Sequence, residues 1–392
     1  MAPVDRGWAW MSVVGCFGMH ILAVGGIKCF GVLFVELEHH YDTTSRAIAS
    51  IQAIASTLMM ALSPVSNALS EKFGCRRVVF LGGTLLLVGF FTSAFVPAYE
   101  WLYLTYGVIA GCGFGLSYAP CIVFVGHHFR KYRALANGLS VSGSGFGLFV
   151  FPPCMHYFIE YYGLAGALML IAAFDFHICA CAMLFRPLAD YKTKIVKNLP
   201  TDQKTHNNSS SILCCHKTKN SSRSNSQCQK YITLLTNPVF QIFIFSILLA
   251  NFAYPTVFIM VPSYAEEIHV DKQSGALMVS IIGISDLIGR IFFGWFSDRR
   301  LIARKYEFMG TMGISGVLSL ILPFVKTKVA LFVYCGFYGF FAGAYICLIA
   351  VVLVDVLGLE NLSMGFGIVG LSMAISMLAG PPIIGKILVL IS

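Results

Sequence analysis

The sequence predicts an all-α polytopic membrane protein, and its composition, its long apolar runs and the placement of its basic residues all favour this class. Of the 392 residues, 57% are hydrophobic and only 11% are charged, and the mean hydropathy is +0.77. A water-soluble core cannot hold this much apolar surface, so the chain is expected to lie in a bilayer. The thirteen cysteines are scattered, mostly in apolar segments, and we interpret them as small buried hydrophobic residues.

Eleven apolar runs are long enough to cross a bilayer as helices. We number them as spans 1 to 11, and they lie near residues 8–35, 47–70, 78–97, 101–126, 134–159, 162–185, 238–263, 274–297, 306–325, 327–357 and 362–391. The first run follows directly after Gly7 without a signal-peptide pattern, so we expect it to be retained. A stretch rich in Ser, Asn and Lys, residues 192–230, separates spans 6 and 7 and predicts a flexible linker.

The positions of the basic residues predict the orientation in the membrane. The N-terminus and the loops after spans 2, 4, 6 and 8 hold twenty of the 27 lysines and arginines, and the opposite side holds only four. This asymmetry places the N-terminus and the linker in the cytosol. The net charge of +9 then reflects topology and lipid headgroups, and it does not indicate a nucleic-acid partner. Glycosylation sequons in the linker, at Asn207, Asn208 and Asn220, would stay unmodified there.

Three charged residues lie inside apolar runs. Asp286 and Arg290 are four residues apart in span 8, so their side chains share one helix face and can pair. Lys28 lies well inside span 1. Each such residue costs about 2.5 to 3.5 kcal/mol at mid-membrane on insertion scales, and residues of this kind usually face a cavity and mark a substrate or proton path. The placement therefore favours a solute transporter.

A short repeat links the two parts of the chain. The segment 67–72 after span 2 recurs as the segment 294–299 after span 8, each with an acid next to a base and further basic residues behind it. The pair resembles the loop 2–3 motif of the major facilitator superfamily, in which two parallel halves enclose a midplane site. We expect an N-terminal half at 1–190, a linker at 191–235 and a C-terminal half at 236–392. Generic positive-inside anchors are the alternative explanation.

Several further motifs resemble the monocarboxylate transporter family. The sequence Asp5-Arg6-Gly7-Trp8-Ala9-Trp10 opens span 1, although the family usually has Gly at position 6 and often at position 9. A second signature opens span 5 as Phe129-Arg130-Lys131-Tyr132-Arg133-Ala134-Leu135-Ala136-Asn137-Gly138 and continues to Ser142, Gly143, Ser144 and Gly147. Arg186-Pro187 and Gly380-Pro381-Pro382 also fit.

This resemblance implies proton-coupled symport of small monocarboxylates, such as lactate or pyruvate, across the plasma membrane. It assigns proton coupling to Lys28 and Asp286 and anion binding to Arg290 and Lys28. The physical chemistry agrees, because a planar guanidinium offers a carboxylate two parallel donors, whereas Arg itself does not titrate near neutral pH. The family also implies a single-span immunoglobulin-like accessory glycoprotein as a partner. We expect no enzyme activity, cofactor or metal site.

Each charged residue also has a purely structural explanation. Lys28 could simply snorkel outward, and the Asp286/Arg290 pair could be a structural clamp between helices. Some relatives carry creatine or other neutral or zwitterionic solutes without proton coupling. The superfamily has twelve spans and this sequence ends at Ser392, so the twelfth helix is expected to be missing. A truncated, non-transporting subunit that modulates a full-length relative is therefore a further alternative.

Weaker candidates complete the predicted site. The resemblance suggests cavity lining for Tyr118, Asn251 and Tyr254, with polar contacts between helices as an equally good explanation. Candidate gate residues, from the repeat and the family acid in span 10, are Glu71, Arg76, Asp298, Arg299 and Asp355. His20 is interpreted as an interhelical histidine, while Asp175 and His177 receive no role. The cluster Cys214-Cys215-His216 could bind a metal, but lipidation or solvent exposure is the better explanation.

Overall fold

Within residues 5–186, 229 and 231–391, which the computed structural model describes, all regular secondary structure is helical. The helices are α1 (Trp8–Lys28), α2 (Phe30–Tyr41), α3 (Ser45–Ala61), α4 (Ser63–Phe73), α5 (Cys75–Ser93), α6 (Glu100–His128), α7 (Arg133–Met183), α8 (Pro238–Glu267), α9 (Lys272–Asp298), α10 (Arg304–Ile321), α11 (Lys328–Leu357) and α12 (Leu362–Ile391). Most of the predicted linker, with its sequons and the cluster at 214–216, lies outside the described residues. The stretch 231–235, assigned to that linker, is helical.

Length and hydropathy identify eight helices among the described residues that can cross a membrane, or nine if the bent pair α3 and α4 is one span. The two helices of that pair meet at 46°, where Pro64 in the first turn of α4 cannot donate a backbone hydrogen bond to α3. The predicted count of eleven is not fully confirmed by this criterion.

Helix α7 is a hairpin of two limbs. Gly163 interrupts its helical backbone with φ 68° and ψ 177°, a conformation that favours glycine. Phe158 stacks on Phe174 with ring centroids 5.8 Å apart, whereas residues sixteen apart in a straight helix would be separated by about 24 Å. We call residues 133–162 the first limb and residues 164–183 the second limb.

One end of the bundle is tied together by the N-terminus and by the segments that enter and leave α7. The Asp5 carboxylate accepts backbone N–H groups of Arg130, Lys131 and Tyr132 at 3.0 to 3.1 Å. The Arg186 guanidinium lies 3.7 Å from the centroid of the Trp8 ring. We call this end the linker side, and the basic residues predict that it is cytosolic.

Residues 5–186 and residues 231–391 meet in close helix crossings towards the linker side. The first limb of α7 packs on α9, where a Cβ at Gly294 would lie 2.7 Å from the carbonyl oxygen of Ala134. Helix α4 packs on α12, and the Asn67 amide donates to the carbonyl of Ser363 at 3.0 Å. Such backbone proximity is typical of membrane helices with small residues at their interface. It closes the molecule on the linker side.

Candidate functional site

Asp286 and Arg290 form a buried ion pair on one face of α9. The side chain of Asp286 is 0% exposed and that of Arg290 is 1% exposed. Arg290 Nε donates to Asp286 Oδ1 at 2.9 Å, and Nη2 lies 2.8 Å from Oδ2. The Nη2 contact is short enough for an ion pair, but Oδ2 accepts no well-directed hydrogen bond. Oδ2 is therefore held by the charges around it and not by a directed hydrogen bond.

The remaining nitrogen atoms of Arg290 are also engaged by protein groups. Nη1 donates to the carbonyl of Val141 at 2.8 Å and to Ser144 Oγ at 2.7 Å, both on the first limb of α7. Nη2 donates to the hydroxyl of Tyr254 at 3.4 Å. All three guanidinium nitrogens thus have acceptors, which satisfies a buried cation. An incoming anion can bind the guanidinium only by displacing one of these groups.

Lys28 reaches the same pair from α1. Its Nζ donates to the Tyr254 hydroxyl at 3.2 Å and lies 3.9 Å from Asp286 Oδ2 and 5.5 Å from the centroid of the Tyr254 ring. The contact with Asp286 argues against the snorkelling alternative, because the ammonium group lies with its counter-ion across the interface. Two cations and one carboxylate give the group a formal charge of +1.

Helix α11 supplies the space in which the Asp286 carboxylate lies. A Cβ at Gly343 would collide with Asp286 Oδ1. One turn further on, Cys347 Sγ lies 3.7 Å from the carbonyl oxygen of Arg290. Glycine at position 343 is therefore required for the carboxylate to keep its position beside the guanidinium.

Two aromatic pairs flank the ion pair. Tyr254 of α8 packs edge-on against Tyr345 of α11 at 5.7 Å, and His20 of α1 packs edge-on against Tyr118 of α6 at 5.8 Å. Two of the predicted lining residues, Tyr118 and Tyr254, thus belong to these pairs. The third, Asn251, is buried and donates to the carbonyl of Ile247 on its own helix at 3.0 Å.

A second charged cluster lies on the linker side. The Asp298 carboxylate accepts the backbone N–H groups of Ala134 at 3.1 Å and Leu135 at 2.9 Å, so it caps the first limb of α7 from the other part of the chain. Arg304 pairs with Asp298 at 3.4 Å and with Asp355 at 3.1 Å. This cluster brings together the predicted gate residues Asp298 and Asp355.

The other predicted gate residues have different surroundings. Glu71 is exposed, Arg76 Nη2 lies 2.9 Å from Met183 Sδ, and the Arg299 guanidinium lies 4.9 Å from the centroid of the Trp295 ring. The repeat predicts equivalent positions for Glu71 and Asp298, but Glu71 is exposed whereas Asp298 is partly buried and paired with Arg304.

Sequence reasoning missed Ser144, Val141, Tyr345 and Arg304. Ser144 was noted only as part of the signature that opens span 5, and Arg304 was one of several basic loop residues. Val141 acts through its backbone carbonyl, which no pattern reveals, and Tyr345 lies in the apolar interior of span 10, between its charged residues Lys328 and Asp355. The described residues contain no cluster of three His, Cys, Asp or Glu side chains that could hold a metal.

The fold resembles a solved transporter structure. The proton:xylose symporter XylE bound to 6-bromo-6-deoxy-D-glucose matches 98% of this chain and 90% of its own, with a TM-score of 0.70 and 11% identity. At that identity the match shows the fold alone. The two chains therefore share a helical fold.

Sequence comparison gives the family. Residues 16–381 match the model of the Major Facilitator Superfamily. Monocarboxylate transporter 12 of Xenopus laevis is 33% identical over 386 residues, covering 98% of this chain and 83% of the relative. Monocarboxylate transporter 12-B of Danio rerio is 35% identical over 98% of this chain and 82% of its own length, and human monocarboxylate transporter 14 is 30% identical over 98% and 86%. The chain therefore belongs to the major facilitator superfamily and, within it, to the monocarboxylate transporter family of multi-pass membrane proteins.

Proposed function

We propose that the protein carries a small monocarboxylate together with a proton across the plasma membrane by alternating access. The observation that supports this most is the buried Arg290 guanidinium, which is held by the Asp286 carboxylate and accompanied by Lys28. A guanidinium recognises a planar carboxylate through two parallel hydrogen bonds. In this site, the Asp286 carboxylate already lies beside two nitrogens of the guanidinium, with one hydrogen bond at 2.9 Å and one ion-pair contact at 2.8 Å.

Charge balance supports coupling of the two cargoes. When the site is empty, the Asp286 carboxylate neutralises Arg290. A proton that binds the Asp286 carboxylate removes that negative charge, and the substrate carboxylate then replaces it beside the guanidinium. The formal charge of the site is +1 in both conditions, so neither condition leaves an additional buried charge without a partner. Lys28, which is partly exposed, attracts the anion and adjusts the charge around Asp286.

Further assignments belong to the same proposal. Two halves, 1–190 and 236–392, rock about the ion pair, with the N-terminus and the linker in the cytosol. Tyr118, Tyr254 and Asn251 line the path, and the gate comprises Glu71, Arg76, Asp298, Arg299 and Asp355. A single-span immunoglobulin-like glycoprotein accompanies the chain to the cell surface.

Reconstituted transport tests the proposal. Proteoliposomes with an alkaline lumen should accumulate labelled small carboxylates, and accumulation should cease when the pH gradient is collapsed. Asp286→Asn should abolish the dependence on the gradient, and Arg290→Gln should reduce carboxylate uptake at least tenfold, since each 1.4 kcal/mol of lost binding is tenfold. Asp271→Asn changes an exposed carboxylate directly before the first residue of α9. It should leave both the carboxylate uptake and its dependence on the gradient intact.

Two results would contradict the proposal. One is gradient-driven carboxylate uptake that is unchanged in Asp286→Asn. The other is uptake of neutral or zwitterionic solutes, such as creatine, that ignores the gradient while every carboxylate is excluded.

A further inference from the structure

A basic cavity lies on the linker side, between residues 5–186 and residues 231–391. Its volume is about 380 Å³, which is within the range of sites that hold small molecules. One wall comes from the end of α6 and the start of α7, and the other comes from the turn between α9 and α10 and from the end of α11. We call it the linker-side cavity. Its charged and titratable lining residues are His127, Arg130, Arg133, Arg300, Arg304 and Asp355.

The charges that line this cavity do not balance. The described lining contains four arginines and one carboxylate, that of Asp355, so its formal charge is +3 with His127 neutral. Three further acids lie near these arginines but do not line the cavity, namely Asp5, Asp298 and Glu307. The carboxylates of Asp5 and Asp298 already accept backbone N–H groups. The lining therefore presents an excess of positive charge to whatever enters the cavity.

Two of the four arginines are buried, which distinguishes this cavity from an ordinary basic surface. Arg133 is 9% exposed and Arg304 is 8% exposed. Basic residues that merely orient a membrane protein lie in loops, where water and lipid headgroups solvate them. A buried cation loses that solvation and needs acceptors close by. The burial of Arg133 and Arg304 therefore indicates an anion in the cavity.

Both buried arginines have donors that the protein does not engage. Arg133 Nε donates to the carbonyls of Gly126 at 3.0 Å and Phe129 at 2.9 Å, and these bonds do not use its two terminal nitrogens. Arg304 Nη1 donates to Asp355 at 3.1 Å, whereas Arg304 Nε has no acceptor among the described residues. Buried N–H groups normally have acceptors. A ligand with several acceptor oxygens would supply them.

A phosphate group meets these requirements better than a carboxylate does. A phosphate monoester carries a charge of about −1.5 to −2 at pH 7 and has three strong acceptor oxygens. Guanidinium groups bind such oxygens through two parallel hydrogen bonds. Basic pockets between membrane helices on the cytosolic side are typical sites for phosphorylated lipid headgroups.

We propose that the linker-side cavity binds a phosphate group and that this ligand joins the two parts of the chain. Arg130 and Arg133 hold it from residues 5–186, and Arg300 and Arg304 hold it from residues 231–391. Opening of the linker side separates these two pairs. The ligand therefore binds the closed arrangement more tightly and stabilises it. A lipid headgroup and a soluble phosphate share this chemistry, and the inference does not depend on which solute is transported.

Thermal unfolding of the purified full chain tests the binding in two arms. In the first arm, inorganic phosphate is titrated in detergent at constant ionic strength, with chloride as the balancing salt. In the second arm, nanodiscs of phosphatidylcholine are compared with nanodiscs that also contain a phosphatidylinositol bisphosphate. A ligand that binds the folded protein raises the melting temperature with its concentration. The arm that shows the rise identifies the source of the phosphate group.

A paired variant and a matched control locate the binding. Arg130→Gln with Arg300→Gln removes two exposed cations from the cavity and should lower the affinity by about tenfold or more in the arm that responds. Lys72→Gln with Arg77→Gln removes two exposed cations from the linker side outside the cavity. The control pair should leave the affinity unchanged, because general attraction of anions to a basic surface is not the proposed cause.

Asp355→Asn tests the same site with the opposite sign. The change removes the acid that lines the cavity and frees Arg304 Nη1 from its partner. The affinity for the phosphate group should therefore rise by about threefold. A variant that merely disturbs the fold would not bind more tightly, so Asp355→Asn decides the matter if the paired arginine variant does not fold.

Hydrogen exchange with and without the responding ligand tests the bridging. Exchange should slow in peptides from both walls, residues 126–133 and 299–305, and slowing in one wall alone would contradict a ligand that joins the two parts. The absence of a rise in melting temperature in both arms overturns the binding site itself. An equal loss of affinity in the paired variant and in its control overturns it as well.

Discussion

At the scale of single residues, Arg290 is held by groups from two helices in addition to its own. Val141 and Ser144 fix Nη1, Tyr254 approaches Nη2, and Asp286 occupies the direction in which a substrate carboxylate would bind. An arginine held in this way recognises an anion at a defined position, because its side chain need not be ordered when the ligand arrives. Binding of an anion then requires only that the anion replace the Asp286 carboxylate beside the guanidinium.

We expect Gly343→Ala to disrupt the ion pair without touching either charge. The new Cβ would collide with Asp286 Oδ1, so the carboxylate must move away from Arg290. Gradient-driven uptake should fall at least tenfold, as measured in proteoliposomes at matched protein content. Gly336→Ala on the same helix is the control, since its Cβ would meet nothing nearer than Ser285 Oγ at 3.9 Å. Equal activity of the two variants would show that the carboxylate position is not critical.

At the scale of elements, α9 joins the two charged clusters. It carries Asp286 and Arg290 in its interior and Asp298 at its end, and its interior packs on the first limb of α7 and on α11. Because Asp298 caps that limb, a movement of α9 at the ion pair also acts on the contacts that close the linker side. The helix thus offers a mechanical connection between the site and the closure.

We expect Asp298→Ala to loosen the start of α7. The variant leaves the backbone N–H groups of Ala134 and Leu135 without their acceptor, at a cost of about 0.5 to 2 kcal/mol for the lost cap. Hydrogen exchange of peptides from this segment, followed by mass spectrometry, should become faster. Glu71→Ala removes the exposed acid at the matching position of the repeat. It should leave the hydrogen exchange of α7 and α12 unaltered.

At the scale of the whole molecule, closure on the linker side depends on backbone contacts between α7 and α9. Gly138 faces the carbonyl of Arg290, and Gly294 faces Ala134. Rigid-body movement of one part against the other must open these contacts to release a solute on that side. The closed arrangement described here is therefore one of at least two that transport requires.

We expect Gly294→Leu to prevent this closure. The leucine cannot fit where a single Cβ would already lie 2.7 Å from the Ala134 carbonyl oxygen, so the linker side should stay open. Transport should be lost, while carboxylate binding from the linker side, measured in vesicles of defined orientation, should persist. Gly310→Leu, in the next helix with nothing within 4 Å of its Cβ, should transport normally. Normal transport by Gly294→Leu would exclude this crossing as part of the gate.

The central triad was predictable because three charges within apolar runs are conspicuous in any sequence. The surroundings of the triad were not. Val141 contributes a backbone oxygen and Tyr345 resembles any aromatic residue in an apolar span, so only the three-dimensional packing reveals them. The repeat predicted equivalent positions for Glu71 and Asp298, but the two acids make different contacts. Helix α4 contacts α12 through Asn67 and not through Glu71.

The helix boundaries show a similar limit. Apolar runs located the helices well, since length and hydropathy are what a bilayer selects. They did not reveal that residues His20–Gly25 of α1, which precede Lys28, form a π-helical stretch. These residues are as apolar as the α-helical residues around them, so the sequence pattern does not distinguish them. Irregular turns of this kind occur often at functional sites.

The pairing of Arg290 with Asp286 inside the protein bears on the flux that the proposed transport would produce. A carrier whose guanidinium had no internal counter-ion would pay a high desolvation cost to return unloaded, so it would favour one-for-one exchange of cargo. With Asp286 as the counter-ion, we expect the return step to need no counter-cargo. Preloaded vesicles should therefore empty into a medium that contains no acid.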